Sequence, residues 1–377
     1  MRFTCLKENL STALTIVNRA VAGRTTLPIT QNILLSIDEG RLKLTATNLE
    51  IAISTWVGGQ VDEPGELTLP GRLLTELVNT LPEESVELIS TAQNRGITIR
   101  CARFQSTIQG IDASEFPPIP AVENGVVARI SSQGIKSGIN QIAFAAATDD
   151  NRPVLTGVKV EIDGDKVIMA AADGFRLGVH YGKLLESTTD SVDVIIPAKY
   201  LIELARIIGD QEDIVEISVT SQKNQLLFKF GDVEMTTQLL SGTFPNYTQL
   251  IPVEYTTRVE VDLKELQQAT KMASIFAKDG SNIVRFQFGS ESGLPTGKLT
   301  ISARTEEVGE NRGEIDANIE GDGAKIAFNS RYLIDVFNAV NSSRVALEMT
   351  DHSSPGVVRP IGSNQSVHVI MPMFVQW

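Results

Sequence analysis

The chain has 377 residues, a formal net charge of −13, 42% hydrophobic residues and 21% charged residues. That length exceeds one ordinary hydrophobic core and suits two or three domains of roughly 100–150 residues. The acidic balance excludes a surface that coats nucleic acid everywhere, although a locally basic face remains compatible with it. No uninterrupted apolar run reaches the roughly 18 residues of a membrane span. Met1-Arg2-Phe3-Thr4-Cys5 lacks the apolar core of a signal peptide, so a cytoplasmic protein without membrane contact is expected. The only cysteines, Cys5 and Cys101, have no metal-ligand spacing and are read as buried, reduced thiols.

In chain order, an amphipathic helix comes first, with Leu6, Leu10, Ala13, Leu14 and Val17 on one stripe. Leu42–Thr47 follows as a strand. A second helix then starts at Pro70-Gly71-Arg72. Ile135, Ile139, Ile142, Ala143 and Ala146 repeat the first stripe, Val167–Ala172 repeats the strand, and Pro197-Ala198-Lys199 repeats the helix start. Leu226 to Leu239 reads as a hairpin around Gly231-Asp232. A third round contains Leu263, Leu266, Ala269 and Ala273, then Leu299–Arg304, then Asn329-Ser330-Arg331. The second helices begin at residues 70, 197 and 329, which is 127 and then 132 residues apart.

Five positions of that second helix are apolar or aromatic in every copy: Leu73/Tyr200/Tyr332, Leu74/Leu201/Leu333, Leu77/Leu204/Val336, Val78/Ala205/Phe337 and Leu81/Ile208/Val340. They are read as core. Each copy closes on an aromatic residue or Met before proline: Phe116-Pro117, Phe244-Pro245 and Met371-Pro372. The expectation is an α+β protein of three repeated domains, 1–125, 126–256 and 257–377, each with two helices on antiparallel sheet. The boundaries are placed in Ile119–Val127 and Ile251–Arg258.

One repeated position of the second helix is charged. Arg72, Lys199 and Arg331 stand in its first turn, where a cation opposes the helix dipole and costs a few tenths of a kcal/mol. Glu76, Glu203 and Asp335, four residues on, offer a weak compensating ion pair. The alternative is that the three cations face one polyanion. Nothing suggests catalysis: the three histidines His180, His352 and His368 are scattered, and no nucleophile–base motif, phosphate loop or metal motif is present. Asp149-Asp150 and Asp173-Gly174 are read as loop and turn residues. No cofactor or metal is expected.

Gly23-Arg24-Thr25-Thr26-Leu27-Pro28-Ile29, Ala172-Asp173-Gly174-Phe175-Arg176-Leu177, Phe244-Pro245-Asn246-Tyr247, Phe328-Asn329-Ser330-Arg331-Tyr332 and Val369-Ile370-Met371-Pro372-Met373 carry a resemblance over essentially the whole length. The chain resembles the bacterial DNA polymerase III beta subunit family, the replicative sliding clamps. The resemblance implies the DNA clamp fold in a head-to-tail homodimeric ring that encircles double-stranded DNA without sequence preference. It further implies that the ring tethers the polymerase III alpha subunit, the clamp loader, other polymerases and repair proteins through short linear peptides. The protein would confer processivity in replication and repair and would not itself be an enzyme.

By the same resemblance, Arg24, Arg72, Lys199, Arg206 and Arg331 face DNA, and Arg152 joins them from a loop without the family's aromatics. The partner groove is expected from Leu155, Ala172, Gly174, Phe175, Arg176, Leu177, Pro245, Leu250, Asn329, Tyr332, Met371, Pro372 and Met373. Ala172 stands where the family often has Thr, Gln249 where a basic residue is common, and Phe374-Val375-Gln376-Trp377 follow the last motif. The dimer interface is expected from Leu77, Arg100 and Arg103 against Ile275, Phe276, Glu306 and Glu307, with Glu310 nearby. Two other readings stay open at this point: an enzyme with an unrecognised site on a triplicated scaffold, and a monomeric interaction platform without ring closure.

Overall fold

The computed structural model describes residues 1–90, 96–119, 126–149, 151–210, 212–220, 224–278, 281–290, 296–307 and 309–377. Asp150 and the boundary expected near residue 125 lie outside the described residues. Three successive stretches share one order of elements. The first runs β1 (Arg2–Leu6), α1 (Lys7–Val17), β2 (Asn32–Asp38), β3 (Arg41–Thr47), β4 (Ile51–Val57), β5 (Gln60–Glu63), β6 (Glu66–Pro70), α2 (Gly71–Thr80), β7 (Ser85–Ser90), β8 (Gly96–Cys101) and β9 (Phe104–Gln109). The second runs β10 (Val126–Ser131), α3 (Ser132–Ile142), β11 (Gly157–Ala172), β12 (Arg176–Pro197), α4 (Ala198–Ile208), β13 (Ile214–Val219), β14 (Gln225–Phe230) and β15 (Val233–Gln238). The third runs β16 (Thr257–Asp262), α5 (Leu263–Ala277), β17 (Ile283–Ser290), β18 (Thr296–Thr305), β19 (Gly309–Gly321), β20 (Lys325–Asn329), α6 (Ser330–Ala339), β21 (Arg344–Met349), β22 (Gly356–Pro360) and β23 (Ser366–Ile370). Each copy is therefore strand–helix, a meander, a second helix and three closing strands.

The chain divides into two compact units, Met1–Ser132 with Arg206–Leu239 and Gln133–Ala205 with Leu240–Trp377. Unit one holds a five-stranded sheet, β5-β1-β7-β8-β9, and an eight-stranded sheet, β10-β13-β14-β15-β4-β3-β2-β6. Unit two holds one ten-stranded sheet, β11-β12-β23-β22-β21-β16-β19-β18-β17-β20. The same junction is built once in each unit. In unit one the last strand of copy two adds to the meander of copy one, with Ile53 of β4 opposite Met235 of β15. In unit two the last strand of copy three adds to the meander of copy two, with Gly178 of β12 opposite His368 of β23.

The helix starts follow local chemistry. Asp262 caps α5, its carboxylate accepting from the backbone N–H groups of Lys264 and Glu265, and Asn329 caps α6 by accepting from Arg331 N–H. Helix α2 starts behind Pro70 with no side-chain cap. The stripes bury Leu10, Leu14 and Val17 of α1, Ile135, Ile139 and Ile142 of α3, and Leu263, Leu266 and Ala273 of α5. Leu6 departs from the expectation: it precedes α1 and is exposed. Of the fifteen expected core positions in the second helices, Leu73 is 51% exposed, and Leu77, Leu81 and Tyr332 are only partly buried. One side of α2 is thus apolar without being covered in unit one. Cys5 and Cys101 are buried and free. Both face Val86 across neighbouring strands, and burial pushes the Cys5 thiol up to about 12.

Candidate functional site

The most chemically organised surface in unit two is the turn between β11 and β12. Asp173 Oδ1 accepts from the backbone N–H groups of Phe175 (2.8 Å) and Arg176 (3.0 Å), which folds the turn and fulfils the turn reading of this aspartate. Gly174 sits at φ +94°, and a Cβ there would meet the Arg152 guanidinium at 2.9 Å. Both facts call for glycine. Arg152 donates to the Asp173 carbonyl at 2.6 Å. Arg152, expected among the DNA-facing cations, is exposed and holds this turn through that bond.

Arg176 ties the turn to its surroundings. Its guanidinium donates to Asp173 (3.0 Å), Asp335 (2.5 Å) and the Phe144 carbonyl (2.8 Å). It also lies 4.7 Å from the Tyr332 ring centroid and 5.3 Å from that of Phe144. A planar fork with five donors satisfies these partners together, which a lysine cannot do. Phe175 stacks on Tyr332 at 6.2 Å. The Tyr332 phenol is pushed up, first by burial and then by Asp173.

Beside this turn lies a cavity of about 350 Å³, lined by Ala172, Gly174, Arg176, Leu177, Gln249, Leu250, Pro252, Pro355, Val369 and Met371. Six of the expected groove residues line it. Phe175 and Tyr332 form the stack at the turn. Leu155 is buried in the cluster with Ala172, Leu177 and Val369, and Asn329 serves as the α6 cap, so both support neighbouring elements and neither lines the cavity. Pro245 is exposed between buried Phe244 and Tyr247, while Pro372 is buried. Met373 N–H donates to Ala327 of β20 at 2.7 Å. From there the tail follows β20, with Trp377 5.8 Å from Lys325 Nζ. Sequence reasoning missed Pro252, Pro355 and Val369. Val369 had a signal, since it alternates with His368 and Ile370 along a strand.

The cations fall on exposed positions: Arg24, Arg72, Lys199, Arg206 and Arg331. The compensating pair expected for Arg331 does not form, because Asp335 is taken by Arg176. Among the described residues, no ion pair joins Arg72 to Glu76 either. Lys199 Nζ lies 4.7 Å from the Tyr200 ring centroid.

Two of the open sheet edges lie next to the expected interface residues. Strand β9 pairs only with β8. Strand β19 pairs with β16 only over Asn318–Gly321, so residues 309–317 have β18 on one side and no strand on the other. Near these edges stand the expected interface residues. Arg100, Arg103, Ile275, Glu306 and Glu307 are exposed, while Leu77 and Phe276 are half-buried. Phe104 on β9 is 61% exposed and Met272 on α5 is 49% exposed; both were missed, because a single aromatic or Met in a mixed pattern reads as core.

The whole chain has counterparts among known proteins. Family models of the DNA polymerase III beta subunit match in series: the N-terminal domain over residues 1–120, the central domain over 129–246 and the C-terminal domain over 248–374. The beta sliding clamp of Synechococcus elongatus is 31% identical, with 99% of each chain covered, and that of Staphylococcus aureus is 33% identical at the same coverage. The crystal structure of the Bacillus subtilis DNA polymerase sliding clamp superposes with a TM-score of 0.93 at 29% identity, covering 100% of both chains. A Pseudomonas aeruginosa sliding clamp bound to griselimycin gives 0.92 at 28% identity, again over 100% of both.

Proposed function

The chain belongs to the DNA polymerase III beta subunit family, and from that membership we propose a two-chain ring that closes around duplex DNA and holds partner proteins by a groove in unit two. The family's function is its own: a non-catalytic processivity clamp for replication, with DNA and polymerase as partners. The finer reading concerns how closure, DNA contact and partner capture are distributed over the residues. Domain limits near 125 and 256 and a cytoplasmic location, where a bacterial chromosome is copied, belong to that reading.

One observation supports closure best. The chain contains three meanders and three copies that each end on a last closing strand, but among the described residues only two junctions form, β4 with β15 and β12 with β23. The meander strand left over is β19 and the closing strand left over is β9. Joining β9 of one chain to β19 of another repeats the internal junction, hides both edges, and closes with two-fold symmetry after two chains. The internal ladders also support one register for that junction. Ile53 opposite Met235 and Gly178 opposite His368 correspond to Asn311 opposite Ser106 of the second chain. Arg103 then faces Glu314, and Phe104 faces Gly313 beside Met272.

That register is testable by single cysteines. Ser106→Cys with Asn311→Cys, or the neighbouring Gln105→Cys with Arg312→Cys, should give a disulfide-linked ring on mild oxidation. One of two adjacent antiparallel pairs is always the closer, non-hydrogen-bonded kind. Crosslinking only when the pairs are offset by one residue or more would refute the register. Ring function is tested on nicked circular DNA: the loaded protein should stay on the circle and leave once it is cut. Retention that ignores the cut would mean surface binding instead of encirclement.

By analogy with the griselimycin-bound relative, the apolar cavity beside the Asp173 turn is our site for griselimycin and for the short peptides of partner proteins. Met371 and Leu177 supply adaptable apolar walls.

A further inference from the structure

The internal repeat places a counterpart of the partner groove in unit one. The two turns agree atom by atom. Asn48 Oδ1 accepts from the backbone N–H groups of Glu50 and Ile51, both at 3.0 Å, as Asp173 accepts from Phe175 and Arg176. Leu49 takes the left-handed conformation of Gly174, at φ 78°. Gln238 N–H donates to the Glu50 carbonyl at 2.9 Å, as Met371 N–H donates to Phe175 at 2.8 Å. Ala22 N–H donates to Thr30 at 3.0 Å, as Ala147 N–H donates to Leu155 at 2.8 Å. The backbone scaffold of the groove therefore exists twice in each chain.

Four side chains differ in the same direction, whereas Arg176 of the cavity wall corresponds to the apolar Ile51. Leu155 corresponds to Thr30, Ala172 to Thr47, Val369 to Thr236 and Met371 to Gln238. Each exchange puts a polar group where unit two has an apolar one, at the cavity wall for the last three and in the buried support beneath it for Leu155. Gly174, packed against the Arg152 guanidinium, corresponds to the exposed Leu49. The Gln238 amide also turns back and donates to the Leu49 carbonyl at 2.9 Å. The cavity at the Asn48 turn is about 160 Å³, against about 350 Å³ at the Asp173 turn; a neighbouring cavity of about 390 Å³ in unit one shares Thr236 and Ala52 with it.

We infer that unit one carries a silenced copy of the partner groove, and that Gln238, Thr236, Thr47 and Leu49 keep apolar peptide ligands out of it. The physical reason is desolvation. An apolar ligand seated there must strip water from Thr236 and Gln238 and break the Gln238–Leu49 hydrogen bond without replacing it. Selectivity between the two junctions therefore resides in the wall residues, since the backbone is shared.

This inference rests on the groove reading of unit two, and titration with griselimycin separates the two. Unaltered protein should bind one equivalent per chain. Moving the polar wall into unit two, by Met371→Gln with Val369→Thr, should weaken that binding at least tenfold. Moving the apolar wall into unit one, by Thr47→Ala, Leu49→Gly, Thr236→Val and Gln238→Met, should add a second equivalent, provided the variant melts as the parent does. If the four substitutions unfold it, Gln238→Met with Thr236→Val alone should still introduce weak second-site binding. A folded four-fold or two-fold variant that binds one equivalent overturns the silencing argument and leaves the groove intact. Unaltered protein that binds none, or binding indifferent to the Met371 exchange, overturns the groove reading itself.

Discussion

At the scale of single residues, two buried histidines make the core sensitive to acid. His180 and His368 lie close together in unit two, and burial holds each at about 4, against an ordinary 6.5. His180 Nδ1 has Gln141 Oε1 at 2.9 Å, and the His368 ring lies 5.9 Å from that of Phe144. Both therefore fold neutral. A base whose folded value is depressed contributes full stability above its unfolded value and loses it as pH falls toward the folded one. Stability should thus drop between pH 6.5 and 4, by roughly 3 kcal/mol for each histidine that must charge. Urea melts at pH 7 and pH 4.5 should reveal the loss, and His368→Leu should shrink it. An unchanged pH difference in that variant would remove His368 from the account. Both histidines looked scattered in the sequence; only the β12–β23 pairing brings them together.

At the scale of elements, the helices differ in how they begin, and this decides where a small substitution matters. Asp262 satisfies two otherwise free N–H groups of α5. Asp262→Ala should cost about 1 kcal/mol in a denaturant melt. A change below about 0.3 kcal/mol would show that the cap is replaced by water. The second helices α2, α4 and α6 each put a cation in the first turn, and in α2 and α6 the ion-pair explanation weakens. Asp335 serves Arg176, so the acid four residues on from Arg331 is not its partner. Such a diversion cannot be read from spacing, because i,i+4 neighbours and a residue 159 positions away compete for the same carboxylate. Leu73 teaches the same lesson for apolar residues. Its place in a repeated stripe reads as core, yet it is exposed, since a stripe states which face is apolar and not what covers it.

At the scale of the whole molecule, sequence-independent DNA contact should be mainly electrostatic. Each phosphate contact by an exposed cation contributes close to one unit to the slope of log affinity against log salt. Arg72→Ala should therefore lower that slope by about 1 per chain, hence about 2 in a two-chain ring, with no change in sequence preference. Binding to a short duplex measured from 50 to 300 mM salt tests this, and a slope unchanged within error would place Arg72 away from DNA. Arg331→Ala should behave alike. The residues alone determined a great deal: three copies, the order of helix and strand within each, the repeated cations and the family. These are local patterns of periodicity, turn chemistry and motif, which neighbours in sequence settle among themselves. Tertiary structure alone decided which strands join copies, which edges stay open, that Asp335 belongs to Arg176, and that the hydrogen-bonded turn beside the unit-two cavity recurs in unit one. Those outcomes depend on pairing and competition between residues far apart in the chain, and no local pattern encodes which distant partner wins.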